Sequence, residues 1–364
     1  GVDLVNTQAT RVVSTPTGDS MDAICRQLSE LAHQYRSPQD WPGQSLKICA
    51  DAGVFRWFLP ANQGGMSWND ADQVRAYLRL AAADLTTTFV ITQFMGACKR
   101  IATSVNAVPR ERYLESLLSG HQFATVGISH LTTSRRHLGK PVLLATENER
   151  GYILDGVSPW VTGAPAADVI VTAATMEDGR ELLAAVPTTA SGIECGPGAE
   201  LVALSASCTD QVAFSQVHVD HDMVIAGPMD GVMKSGSGAG TGGLQTSTLA
   251  AGLSRAAVDY LRREAEKRAD LVPIAEHLDQ ELQQLCDDLI SAAGGGHCDA
   301  GAIRGRANRL VMRTTQAAMS AAKGAGYVAS HPVGRWCREA LFFLVWSCPQ
   351  PVAREHMCEL AGIE

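Results

Sequence analysis

Few residues of this chain combine the type and the spacing that specialised chemistry needs. Ten cysteines stand at 25, 49, 98, 195, 208, 286, 298, 337, 348 and 358, and none forms a CxxC pair. His297-Cys298 is isolated from other ligand types, so no metal centre is expected. Gly238-Ala239-Gly240-Thr241-Gly242-Gly243 spells GxGxxG. That motif cradles a pyrophosphate only when a strand precedes it and a βαβ unit surrounds it. Here a Pro/Gly loop precedes it and helix follows helix, so it reads as a flexible entry to a helix from about Leu244. Ser129-His130 closes a β-rich stretch and sets a hydroxyl beside an imidazole. Ser347, between Trp346 and Cys348, has a hydroxyl that is not basic at neutral pH without a partner. Taken alone, Trp160 would be core and Arg268, ending an apolar stripe, would be solvated.

These residues need elements to hold them, and the sequence supplies a long alternation. Residues 1–121 are nearly all helical in pattern. Ile24, Leu28, Leu31, Ala32 and Tyr35 fall on one helical face, with Asp19 or Ser20 as cap. Further helices are predicted over 42–52, 70–83 and 86–104, and from Pro109 to near Gly120. From Gln122 to 230 short β-rich runs are separated by Gly, Asp and Pro, which suggests a barrel or sandwich. They cover 123–128, 141–146, 151–156, 168–174, 181–186, 211–214 and 217–219. From 231 to 364 the helical period returns. Leu253, Ala256, Ala257, Tyr260, Leu261 and Ala265 make one stripe, and Ile274, Leu278, Leu282, Leu285 and Leu289 another. A glycine break at 294–296 precedes a long helix over about 301–322.

Composition narrows the partners. A net charge of −8 with no Lys/Arg run argues against nucleic acid. No stretch reaches the roughly 18–20 apolar residues of a membrane span. No basic, apolar leader is visible, so the thiols are expected reduced and the protein cytoplasmic.

Several segments, in order, resemble acyl-CoA dehydrogenases. They are Leu59-Pro60 to Gly65, Tyr113-Leu114 to Gly120, Phe123 to Ser134, and Gly151 to Gly156 with Trp160-Val161-Thr162 and Ala166-Ala167-Asp168. Leu249-Ala250-Ala251-Gly252 to Arg268 follows. Lys323-Gly324-Ala325-Gly326-Tyr327, Arg338-Glu339, Val345 to Pro349 and Ala353 to His356 complete the set. The resemblance implies an α+β, mainly α fold: an N-terminal helical domain (1–121), a middle β-barrel or sandwich (122–230) and a C-terminal four-helix bundle (231–364). It implies FAD, with the flavin pyrimidine edge on Ile128 and Ser129 and Trp160 against the isoalloxazine. Val161-Thr162 would lie near its N5, Arg268 on the pyrophosphate and Gly324 in the adenine-side turn. Glu339 would belong to a structural ion pair.

The same resemblance shows what is missing. Removal of a substrate α-proton needs a carboxylate, and Ser347 stands at its usual position and Gln245 at the alternative one. The base is thus unassigned, with His130 and Cys348 the other reactive groups near the pocket. Ser320, Lys323, Leu271, Val272 and Pro349 depart from the family's cofactor contacts. The first reading is a flavin-dependent oxidoreductase acting on an acyl thioester or similar small substrate with a non-standard base. The second is a flavin-dependent monooxygenase of the same fold, where Ser129 and His130 would hydrogen-bond the oxygenated flavin. The third is a catalytically silent acyl-CoA- or flavin-binding homologue. The resemblance also implies a homodimer or homotetramer, and an electron-transfer protein or flavin reductase as partner.

Overall fold

The computed structural model describes residues 11–132, 141–234 and 242–363. Of the glycine run, only Gly242 and Gly243 fall among them, opening a helix; the rest lies outside the described residues. Five helices come first: α1 (Asp19–Ala32), α2 (Gly43–Asp51), α3 (Asp70–Ala83), α4 (Leu85–Ala102) and α5 (Ala107–Leu118). The cap of α1 is Gly18, without a side-chain bond, and Asp19 and Asp22 instead lie in the first turn. There their charge meets the positive end of the helix dipole. Asn69 and Asp84 cap α3 and α4 by accepting from Asp72 N and Thr87 N.

Helix α4 organises the molecule. Fifteen of its eighteen residues are buried, from Leu85 to Ala102, because it is covered by helices and by the sheet. The three that are not are Gln93, Gly96 and Arg100. They fall at i, i+3 and i+7, so they form one open seam along a covered helix.

The strands are β1 (Ala124–Gly127), β2 (Leu143–Glu147), β3 (Gly151–Thr162), β4 (Val169–Met176), β5 (Glu181–Pro187), β6 (Ile193–Cys195), β7 (Thr209–Asp220) and β8 (Val224–Met229). A single helical turn, α6 (Ser129–Thr132), follows β1. The main path through the sheet is β6-β7-β3-β2-β4-β5-β8, and β1 joins β4 off it. β1 and β2 both run parallel to β4, at Ala124–Gly127 against Val169–Thr172 and at Leu144–Ala145 against Thr175–Met176. The two runs expected at 211–214 and 217–219 are one strand. Gln216 takes a φ of 52°, and the β3–β7 register shifts between Leu154 and Gly156. That bulge broke the alternation on which the sequence reading relied. β6 and β8, short or Pro-containing, gave no such pattern.

The C-terminal part holds α7 (Gly242–Ala265), α8 (Val272–Ala293), α9 (Ala300–Gly326), α10 (Pro332–Phe342) and α11 (Gln350–Ala361). Helices α7 to α10 form the expected bundle and α11 packs on α9. Leu278, Leu282, Leu285 and Leu289 are buried as predicted, but Ile274, in the first turn of α8, is exposed. α9 runs past the expected end at 322, across Lys323, whose φ of 55° and ψ of −145° interrupt it. The segment around Gly324 is therefore a kinked helix end rather than a free turn. α3 lies on α7, where Gly252 allows the approach: a Cβ there would sit 2.6 Å from Ala81 Cβ. No described helix is long and apolar enough to cross a membrane.

Candidate functional site

β1 hands the chain to α6 beside β4. Between the β1 and β2 pairings, the edge of β4 has no strand partner. His130, only 7% exposed, fills that gap, its Nε2 lying 2.8 Å from Ala173 O. A carbonyl can only accept, so Nε2 carries the proton. Burial lowers the imidazole's pKa, which favours the neutral ring and leaves Nδ1 as a lone pair. That Nδ1 and the neighbouring Ser129 Oγ are both buried without a hydrogen-bond partner among the described residues. Ile128 is partly buried at the strand exit.

β3 carries the next group. Trp160 is 50% exposed while Val161 is fully buried. An indole so open on a sheet presents a large flat apolar surface. Thr162 is buried, and its hydroxyl lies 2.9 Å from Thr209 Oγ1, which in turn meets Ser207 Oγ at 2.8 Å. Gly163 ends the strand with a φ of 69°, and a Cβ there would fall 2.4 Å from the Trp41 ring. The N-terminal helices are thereby locked against the end of β3.

α4 connects this region to the loop after α10. Phe94 stacks on Phe123 at 5.2 Å, just before β1. Five residues earlier on the helix, the buried Phe89 meets Phe342 and Trp346 edge-on, each at 5.0 Å. Trp346 also stacks on Phe342 at 5.0 Å and 9°. Ser347 follows, exposed, with a φ of 45°.

A residue the sequence reading missed holds that loop. Arg304 of α9 is 3% exposed and donates to Asn308 Oδ1 (2.9 Å), Phe343 O (2.8 Å), Trp346 O (2.8 Å) and Ser347 O (3.4 Å). Asn308 adds a bond to Phe343 O at 3.2 Å. The carbonyls at the end of α10 have no intrahelical donors, and a cation suits the negative end of a helix. The i, i+4 pair Arg304/Asn308 on α9 was the available signal, but an Arg on a long helix ordinarily reads as solvated. Burial lowers the Arg304 pKa.

Gln245 lies on α7, partly buried, near the buried Tyr77 of α3. Burial raises the Tyr77 pKa and the Gln245 side chain opposes the rise. No hydrogen bond joins Gln245 to Ser347 among the described residues. Glu339 forms its ion pair with Arg335, one turn earlier, at 3.0 Å rather than with its neighbour Arg338. It is buried, and desolvation pushes its pKa up to about 7, with Asp84 adding repulsion. It faces α4's first turn and is committed to that contact.

The residues expected on the cofactor's other end are arranged differently. Arg268 donates to Ala321 O at 2.6 Å and lies 3.8 Å from Asp270. Its guanidinium is turned onto its own α9. Gly324 is open on every side, with no atom within 4 Å of a would-be Cβ, and Tyr327 is 89% exposed. The isoalloxazine end of a flavin therefore fits, with unpartnered polar atoms and an open indole, while the pyrophosphate end finds its arginine already engaged. The structure brings Ile128, Ser129 and His130 together. It places Trp160, Val161 and Thr162 on β3, and Arg268 and Gly324 at the far end of α9.

Comparison with known proteins matches the fold. No family model matches the chain. It is 24% identical over 340 residues to mitochondrial isovaleryl-CoA dehydrogenase of Pongo abelii, spanning 85% of this chain and 78% of that protein. It is 24% identical over 271 residues to the Solanum tuberosum counterpart, spanning 67% and 64%. Among solved structures, glutaryl-coenzyme A dehydrogenase with glutaryl-CoA superposes with a TM-score of 0.75 at 16% identity, over 96% of each chain. KijD3 with FMN and a dTDP-sugar gives 0.74 at 20% identity, over 94% and 92%. Dibenzothiophene monooxygenase from Paenibacillus sp. A11-2 gives 0.74 at 15% identity, over 92% and 93%.

Proposed function

We propose that this divergent member of the acyl-CoA dehydrogenase family is a flavin-dependent oxidoreductase that works without the family's carboxylate base. The observation that carries it is the open Trp160 indole on β3, on a fold shared with flavin enzymes. Ser347 and Gln245 leave both base positions without a carboxylate, and the buried Glu339 is held by Arg335. FAD is the cofactor this reading assigns; when bound it would supply a hydride acceptor and a route for electrons to oxygen or a partner protein. Ser129 would donate to its pyrimidine edge and Trp160 would cover one face, excluding water. Gly324 and Arg268 would approach its adenosine half, Arg268 only after releasing Ala321 O.

The substrate in the first reading is an acyl thioester or a similar small molecule. Here His130 is the group that would take a proton, since its Nδ1 has no hydrogen-bond partner among the described residues while Nε2–H is fixed on Ala173 O. The absent carboxylate favours the second reading, oxygen-dependent turnover, since that chemistry needs no α-proton base. A homodimer or homotetramer, an electron-transfer protein or flavin reductase as partner, and a cytoplasmic setting belong to the same proposal, as do domains over 1–121, 122–230 and 231–364.

One experiment tests it. The purified protein is loaded with FAD and mixed with butyryl-CoA without oxygen, as wild type and as Ser347→Glu. The expected result is flavin uptake by both and bleaching at 450 nm, roughly the flavin's ordinary absorbance, in the variant alone. A wild type that takes up no flavin would overturn the reading. A folded, loaded variant that does not bleach would overturn the mapping of Ser347.

A further inference from the structure

The open seam of α4 contains a charge that nothing yet described uses. Gln93, Gly96 and Arg100 are its three unburied positions. The helix and β1 run in the same direction: Phe94 stacks on Phe123, and Gly96 faces Val126, whose Cγ1 would lie 3.6 Å from a Cβ there. Arg100 stands four residues past Gly96, about 6 Å along the axis. Two strand residues past Val126 cover about the same distance and reach Ile128. The Arg100 backbone is therefore level with the strand exit, where Ser129 Oγ and His130 Nδ1 have no hydrogen-bond partner among the described residues, and its guanidinium, turned back to Gly96 O, lies about one helical turn short of that exit.

The Arg100 guanidinium folds back along the seam and donates to Gly96 O at 2.9 Å. Among the described residues it has no other hydrogen bond and no ion pair with Asp or Glu. A partly buried guanidinium with one bond of a possible five, and no carboxylate, lacks the counter-charge such groups ordinarily have. Burial lowers its pKa and no nearby acid offsets that.

We propose that Arg100 receives the negative charge of the flavin's N1–C2=O edge, bound at the exit of β1. This rests on the flavin reading above. Two electrons and one proton, added at N5, leave a reduced flavin with one negative charge spread over N1 and O2. A cation beside that edge stabilises the charged form and not the neutral oxidised one.

The test uses sulfite, which needs no known substrate. Sulfite's sulfur attacks N5: the S–N5 bond forms, the N5=C4a π bond opens and the electron pair moves to N1–C2=O. Its affinity therefore reads the stabilisation of that negative edge. FAD affinity and sulfite affinity are measured by absorbance for wild type, Arg100→Met and Arg100→Lys, with circular dichroism as the folding check. The expected result is sulfite binding weakened by about tenfold or more in Arg100→Met and largely kept in Arg100→Lys, with one unit charge near N1 as the cause. Equal sulfite affinity in a flavin-loaded Arg100→Met would overturn the proposal alone. Failure of the wild type to bind FAD at all would overturn the flavin reading and this proposal with it.

Discussion

Arg304 and Arg100 are both cations inside an apolar setting, and they differ in how many of their bonds are made. Arg304 bonds Asn308 and three carbonyls of the loop after α10. Arg100 bonds a single carbonyl of its own helix. A guanidinium whose bonds are filled by the protein fixes structure, here the loop that carries Ser347. One left with open bonds and no carboxylate is suited to a ligand. The base position is thus rigid and the seam of α4 is receptive. The difference gives Arg304 a structural role and, on the proposal above, leaves Arg100 for a ligand.

The largest expected effect breaks the first half of that contrast. Arg304→Met leaves the carbonyls of Phe343 and Trp346 without their shortest donors, and each buried unpaired group costs about 1–3 kcal/mol. Unfolding in urea should show a loss of about 3 kcal/mol or more, with flavin affinity falling only as the fold is lost. A stable variant that fails to bind flavin would reverse the roles given to the two arginines.

A smaller effect concerns the helix that carries the loop. The folded pKa of Glu339, about 7, lies above its ordinary value, so the folded protein holds that proton more tightly than the unfolded chain. Its contribution is full below about pH 4.5 and is lost as pH rises through about 7, by roughly 3 kcal/mol. Glu339→Gln should lose that fall, and the two urea curves should diverge between pH 5 and 8. Parallel curves over that range would show that Arg335 offsets the burial in full.

The smallest effect on stability should come from Trp160→Ala. The side chain is half exposed, so unfolding should shift by less than about 1 kcal/mol, whereas FAD should bind about tenfold more weakly. A variant that keeps its flavin affinity would remove Trp160 from the ligand face.

Much of this could be read before folding. The helices α1 to α5 and α7 to α9 follow from apolar periodicity, and six of the strands from β-rich runs, β7 as two runs. α10 and α11 did not announce themselves, since each is short and opens at a proline. The segments from Phe123, Trp160, Leu249 and Gly324 pointed to the acyl-CoA dehydrogenase family. The missing carboxylate at Ser347 and Gln245 is equally a fact of the sequence.

What the sequence could not determine is which polar groups the protein itself would satisfy. Arg304 and Arg100 lie on helices and Arg268 just past the end of one, and sequence spacing does not separate their roles. The fold turns Arg268 onto Ala321, closes Arg304 over the end of α10 and leaves Arg100 on the one open seam of a buried helix. His130 likewise became informative only when the gap between β1 and β2 fixed its proton on Nε2. Periodicity records which face is apolar, because burial acts on every residue of an element. The partner of a single polar atom depends on chain segments far apart in sequence, and only tertiary packing brings them together.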